Sequence, residues 1–274
     1  MRVAYQGMRG AYSEEAALRH FGAPCQPVPC AFSEQVFDAV ESGSADFGLL
    51  PVENSIVGPV TVNEDLFLRK PAFIIAETYL RIEHCLLGLP GSALTKLSTV
   101  YSHPVALEQC RDFLAARHLG SIPEYDTAGA AELVASRGRR QDAAIASKRC
   151  AEVYGLSVLA ENIQNARENF TRFAVFVRSN RIPPGQVMEK TSIAFSAKHK
   201  PGALLDCLRR FAENGVNLLR LESRPVPEDP FQYIFLADLV GGLKDAGLAA
   251  ALEALCGEAG FVKVLGSYPA APRP

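Results

Sequence analysis

Apolar residues follow two alternating rhythms along the first part of the chain. RVAYQG (residues 2–7) and DFGLLPV (46–52) are short, nearly continuous apolar runs that read as strands, while YSEEAALRHFG (12–22) and FSEQVFDAVESGSA (32–45) space their apolar residues as helix faces do. That alternation predicts a parallel sheet with crossover helices. Ser13 before Glu14 and Glu15, and Ser33 before Glu34, stand where helix N-caps are expected, with acids at the positive end of the helix dipole. Gly22 and Gly43 read as the stops.

From about residue 80 the pattern starts again. RIEHCLLGL (81–89) and LSTVYSHP (97–104) read as strand regions, VALEQCRDFLAARH (105–118) as one helix, and EYDTAGAAELVAS (124–136) and DAAIASKRCAEVYG (142–155) as further strand-end and helix segments. TRFAVFV (171–177) is the last strand of this region. RSNRIPPGQVMEK (178–190), with two prolines and a glycine among mixed charges, reads as a linker. The expected division is a first domain over 1–180, a linker over 181–189 and a second domain over 190–268. The first divides again, into about 1–78 with 160–180, and 79–159.

The last unit runs strand (KTSIAFSAKH), helix (GALLDCLRRFAENG, closed by Gly215), strand (VNLLRLESRPV), strand (FQYIFLADLVG), helix (LAAALEALCGEAG) and strand (VKVLGSYP). This is the ferredoxin-like order. So small a sheet leaves one face open, which invites pairing with a second copy.

Composition narrows the classes of function. With 274 residues, more than one domain is expected; 48% hydrophobic residues and a net charge of -2 describe a soluble globular chain without the basic excess that nucleic acid requires. No signal-peptide-like stretch opens the chain and no run nears the ~18 apolar residues of a membrane helix, so a cytoplasmic protein with no membrane partner is expected. The 7 cysteines are scattered without a C-x-x-C pair and are expected to be reduced core residues.

Four polar clusters lie at strand ends, where open parallel sheets bind ligands: YQGMRGAYS (5–13), PVENS (51–55), YSHP with Gln109 beyond it (101–109), and NFTRF (169–173). Gly7 and Gly10 permit a tight turn, and the helix after them can aim free N–H groups at an anion. Taken alone, Glu53, Asn54 and Ser55 read first as a capped turn and Ser102 as the cap of the helix after it; His103 reads as a capping or surface histidine. Thr171 and Arg172 differ from these. In a strand, Thr171 shares a face with Phe173 and Val175 while Arg172 shares the other with Phe170 and Ala174, so the hydroxyl and the guanidinium serve different purposes. If this strand runs antiparallel to its neighbours, its start brings Thr171 to Asn54, Ser55 and Gly10.

Together these residues resemble the prephenate dehydratase family over essentially the whole chain: Thr171-Arg172-Phe173, Glu53-Asn54-Ser55, GMRGAYS (7–13) and Ser102-His103-Pro104 with Gln109 match its motifs in order, as do DTAGAA (126–131) and AAIAS (143–147). The C-terminal unit resembles an ACT regulatory domain. The resemblance implies an α/β fold, with a two-lobed catalytic domain like the type II periplasmic binding proteins and a ferredoxin-like α+β ACT domain behind it. The monofunctional form, without a chorismate mutase segment ahead of residue 1, is the form expected from the resemblance.

The activity implied is the decarboxylating dehydration of prephenate to phenylpyruvate, water and carbon dioxide in phenylalanine biosynthesis, a lyase reaction needing no metal or organic cofactor. Thr171 is implied as the donor to the leaving hydroxyl, with Asn54, Ser55, Ser102, Gln109, Glu53, Arg172 and Phe173 completing the catalytic set and Gly10, Tyr12 and Ser13 binding substrate. L-Phenylalanine is implied as the effector, bound by Gly202, Ala203, Leu204 and Leu205 (GALL), by Asn217 and Leu218, and by Glu222, Ser223, Arg224 and Pro225 (ESRP), in a homodimer or a tetramer of two dimers. Two rivals stay open: an arogenate dehydratase that makes phenylalanine directly, and a catalytically inactive amino-acid sensor.

Overall fold

Strand β1 (Arg2–Gln6) is fully buried at Val3, Ala4 and Tyr5, and helix α1 (Tyr12–Phe21) covers it with Ala16 and Ala17. After it come β2 (Gln26–Cys30), α2 (Ser33–Ser42), β3 (Phe47–Asn54) and the two-residue β4 (Gly58–Pro59). β1 pairs in parallel with both β2 and β3, as the alternation predicts. The computed structural model describes residues 1–179, 185, 187–226, 229–272 and 274; of the expected linker, 181–184 and 186 lie outside the described residues.

The described chain divides into two compact units, one of residues 1–63 with 78–173 and the other of 64–77 with 174–273, and three elements carry the chain between them. These are α3 (Thr61–Arg69), β5 (Ala72–Arg81) and, further on, β11 (Phe170–Arg178). The first unit contains a second sheet. Its chain order is β6 (Cys85–Gly88), β7 (Thr99–Ser102), α4 (Pro104–Gln109), α5 (Arg111–Ala116), β8 (Gly120–Pro123), α6 (Thr127–Arg137), β9 (Asp142–Ala146), α7 (Lys148–Tyr154) and β10 (Ser157–Ala160). The strands lie in the order β10-β6-β9-β7-β8. Central β9 is buried at every residue, as its run of small apolar side chains requires. Two sheets in one α/β unit give the expected two-lobed build.

The second unit adds β12 (Lys190–Ala197), α8 (Ala203–Glu213), β13 (Leu218–Val226), β14 (Asp229–Val240), α9 (Ala246–Glu258) and β15 (Ala259–Tyr268), the predicted ferredoxin-like order. β12 is central, antiparallel to β14 and β15, and among the described residues β13 pairs with β14 alone. Ile193, Phe195, Phe211 and Leu255 form the core of this unit between sheet and helices. Within it, buried Lys190 meets Glu77 at 2.8 Å and Asp238 at 3.4 Å, and Lys263 Nζ donates to the carbonyls of Phe67 and Leu68 at the end of α3.

Local chemistry departs from several expectations. Ser13 and Ser33 lie inside their helices and cap neither: Ala11 and Phe32 are the N-cap residues, and Glu14 and Gln35 reach back to accept from the N–H groups of Gly10 and Phe32. β2 escapes a sequence reading because Pro27 and Pro29 argue against a strand; it is tolerated as the sheet edge, paired among the described residues with β1 alone. The helix expected over 105–118 breaks at Cys110, because the Gln109 carbonyl accepts from Asn165 N at 2.7 Å outside the helix. All seven cysteines are free thiols, but Cys30 is only half-buried and Cys256 is exposed. Cys256 falls beside the α9 face on which Leu248, Ala251 and Leu255 are buried.

Candidate active site

The end of β3 and the start of β11 are joined at two points: Ser55 N donates to Phe170 O at 2.8 Å, and Phe170 N donates to Ser55 Oγ at 2.9 Å. This junction fixes Asn54. Its Oδ1 accepts from the backbone N–H groups of Ile56 and Val57, both at 3.0 Å, so its Nδ2 is turned toward β11. There Nδ2 donates to Asn169 Oδ1 at 2.8 Å, Phe170 O at 3.2 Å and Thr171 Oγ1 at 3.0 Å.

The network continues into the other lobe. Asn169, wholly buried, donates through Nδ2 to Gln109 Oε1 at 3.1 Å, and His84 Nε2 lies 2.9 Å from the same oxygen. On its other side His84 Nδ1 is 2.8 Å from the Tyr12 hydroxyl, which also lies 3.0 Å from Glu83 O. Burial lowers the His84 imidazole below its ordinary value, against a smaller opposing effect of the Gln109 hydrogen bond. Burial likewise pushes the Tyr12 phenol well up, so the histidine and the tyrosine are both neutral near pH 7.

These groups border a cleft of about 530 Å³ within the first unit, into which Thr171, Asn54, Gln109 and His84 face from one side and Tyr12 and Ser13 from the start of α1. Among the described residues no lysine or arginine lines it; Asp126 is the acid in its wall and His103 the second histidine. An anionic ligand would therefore be met by neutral donors: amide, hydroxyl and backbone N–H groups. His103 caps α4 by accepting from Val105 N, and burial lowers its imidazole against the opposing charge of Asp126. Among the described residues no group of three His, Cys, Asp or Glu side chains is arranged to hold a metal ion.

The structure does not bring every expected residue to the cleft. Thr171, Phe173, Asn54, Gln109, Tyr12 and Ser13 line it. Ser102 does not; its hydroxyl is fully buried and donates to Ile145 O at 2.6 Å, tying β7 to β9, and the cap it was expected to supply is made by His103. Gly10 turns away and packs on α7, where its carbonyl accepts from Ser147 Oγ at 2.6 Å and a side chain would meet Cys150 Sγ at 2.8 Å. Arg172 lies on the opposite strand face from Thr171, as the parity predicts, and pairs with Glu53 at 3.2 Å. Ser55 serves the strand junction. His84 and Asn169 were missed, though Asn169 belongs to the NFTRF cluster and His84 is the polar residue at the mouth of the apolar run CLLG.

The regulatory candidates separate into two groups in the second unit. Gly202, in the left-handed conformation (φ 81°), caps α8, and Ala203 and Leu204 line a groove of about 420 Å³ with Tyr233 and Phe235, whereas Leu205 is exposed. Asn217 precedes β13 and Leu218 begins it, and neither lines that groove. On β13, Arg220 bonds Glu64 and Glu222, Arg224 meets both carboxylate oxygens of Asp65 at 3.0–3.1 Å, and Ser223 and Pro225 are exposed.

A family model described as prephenate dehydratase matches residues 3–181, and one described as ACT domain matches 191–257. Arogenate dehydratase/prephenate dehydratase 1 of Arabidopsis thaliana, chloroplastic, is 41% identical over 98% of this chain and 72% of its own length. Among solved structures, prephenate dehydratase from Arthrobacter aurescens in complex with L-Phe matches with a TM-score of 0.88 at 31% identity, covering 98% of this chain and 89% of its own. GqqA, described as a novel type of quorum quenching acylase, matches with a TM-score of 0.90 at 37% identity over 99% of both chains.

Proposed function

This chain belongs to the prephenate dehydratase family, with an ACT domain behind the catalytic segment, and on that premise we propose how its cleft carries out the decarboxylating dehydration of prephenate. In that reaction the bond to the ring carboxylate breaks and its electron pair closes the aromatic ring. The carbon–oxygen pair leaves with the hydroxyl, which takes up a proton to become water. Phenylpyruvate and carbon dioxide are the other products.

One observation carries the assignment of Thr171. Its oxygen accepts from Asn54 Nδ2, an atom that only donates, so the hydroxyl hydrogen remains for the cleft. An alcohol is a weak acid, and Thr171 acts through a directed hydrogen bond to the departing oxygen, strengthened by the amide that polarises it. Arg172, paired with Glu53, holds β11 against β3. The two carboxylates of prephenate meet the start of α1 and the neutral donors of the wall.

The same reading gives the ACT unit L-phenylalanine as effector, with the groove beside Ala203 and Leu204 as part of its site. β13 is the unpaired edge of this unit's sheet among the described residues, and we assign it to pairing with a second copy, in a dimer or a pair of dimers, that completes the site. Cytoplasmic residence belongs to this proposal; no described helix is long and apolar enough to cross a membrane.

A second reading, arogenate dehydration, rests on Asp126 in the cleft wall: its Oδ1 caps α6 by accepting from Gly129 N, and its other carboxylate oxygen suits the ammonium group that replaces the keto oxygen. Assays of prephenate and arogenate side by side, each with and without L-phenylalanine, decide between them. Phenylpyruvate from prephenate, suppressed by L-phenylalanine, is the expected result. A preference for arogenate would exchange the substrate, and turnover of neither, with an acyl substrate hydrolysed instead, would overturn the proposal.

A further inference from the structure

The hydrogen bonds around Thr171 have a fixed direction, and its origin is the backbone. Two N–H groups, of Ile56 and Val57, hold Asn54 Oδ1. Nδ2 of Asn54 must then donate to Asn169 Oδ1, which leaves Asn169 Nδ2 to donate to Gln109 Oε1. Since an amide oxygen accepts and never donates, His84 Nε2, 2.9 Å from Gln109 Oε1, must carry a hydrogen. The neutral ring then has a bare Nδ1, 2.8 Å from the Tyr12 hydroxyl, whose one hydrogen it shares with Glu83 O at 3.0 Å.

Two lines of donation thus converge on one oxygen: Asn54 to Asn169 to Gln109, and Tyr12 to His84 to Gln109. With both lone pairs of Gln109 Oε1 engaged, its amide cannot turn over. Its NH₂ group is left for the cleft it lines, beside the Thr171 hydroxyl, the other donor of the network that, among the described residues, is left for the cleft. We infer that His84 is a positioning residue: held with its hydrogen on Nε2, it commits the Gln109 amide NH₂ to an oxygen of the substrate. The inference rests on the dehydratase reading for its kinetic consequence, and on the hydrogen-bond network alone for the tautomer.

Two measurements test it. Long-range ¹H–¹⁵N correlation spectra of histidine-labelled protein, with the His84 signals identified by their loss in His84→Gln, are expected to show a protonated Nε2 and a bare Nδ1. A hydrogen on Nδ1 and a bare Nε2 would overturn the inference, whether or not either substrate is turned over. For kinetics, His84→Gln keeps a donor toward Gln109 and an acceptor toward Tyr12, whereas His84→Leu keeps neither. His84→Leu should lower kcat/KM about tenfold or more while His84→Gln stays within about threefold of wild type, as loss of one directed hydrogen bond implies. Equal kcat/KM in two folded variants that differ only in melting temperature would reduce His84 to packing and refute the role. Wild-type protein inactive on prephenate and arogenate alike, with the expected tautomer, would fault the functional reading and leave the network assignment standing.

Discussion

At the scale of single residues, strand parity was the strongest signal in the sequence. It put Thr171 and Arg172 on opposite faces, and the structure gives one to the cleft and the other to Glu53. Ser102, which ends β7, and Gly10, in a loop, were expected in the cleft from the motifs, and parity decides neither: a serine at a strand end bonds inward or outward on the same sequence, and here it bonds Ile145 O. His84 was illegible for a related reason, since its value comes from Gln109 and Asn169, 25 and 85 positions along the chain. Its burial has a consequence for stability. A histidine whose folded value lies below the ordinary 6.5 binds protons more readily when unfolded, so it costs stability as pH falls below about 6.5 and costs nothing above. Melting curves from pH 8 to pH 5 should therefore fall less steeply for His84→Gln than for wild type; parallel curves would contradict the assignment of a neutral buried imidazole.

At the scale of elements, most helices and strands followed from periodicity, and the exceptions have local causes: prolines disguised β2, and the carbonyl of Gln109, drawn to Asn165, broke the helix expected over 105–118. That break belongs to the site, since Gln109 is the last residue of α4. Periodicity also could not foresee what a strand carries into its core. Lys190, at the start of β12 and 3% exposed, is held by Glu77 and Asp238. Lys190→Met should destabilise the protein by about 3–5 kcal/mol, because it removes a buried cation that meets two buried carboxylates. Denaturant titration checks this, and a change below about 1 kcal/mol would mean that other partners carry those charges.

At the scale of the whole molecule, the order of motifs made the division into a catalytic segment and an ACT domain legible, while the compact units are drawn elsewhere, with α3, β5 and β11 carrying the chain between them. The account assigns regulation to the ACT unit and chemistry to the cleft. Gly202→Val, which forces a β-branched residue to φ 81°, should weaken inhibition by L-phenylalanine and spare uninhibited turnover. Loss of turnover together with inhibition would argue against that division of labour. The central claim is that the free hydroxyl of Thr171 assists departure of the substrate hydroxyl, and it is tested most directly by phenylpyruvate formation from prephenate in wild type and Thr171→Val. The account predicts a fall in kcat of about a hundredfold or more, with the fold and L-phenylalanine binding intact. Turnover within a few-fold of wild type would contradict it.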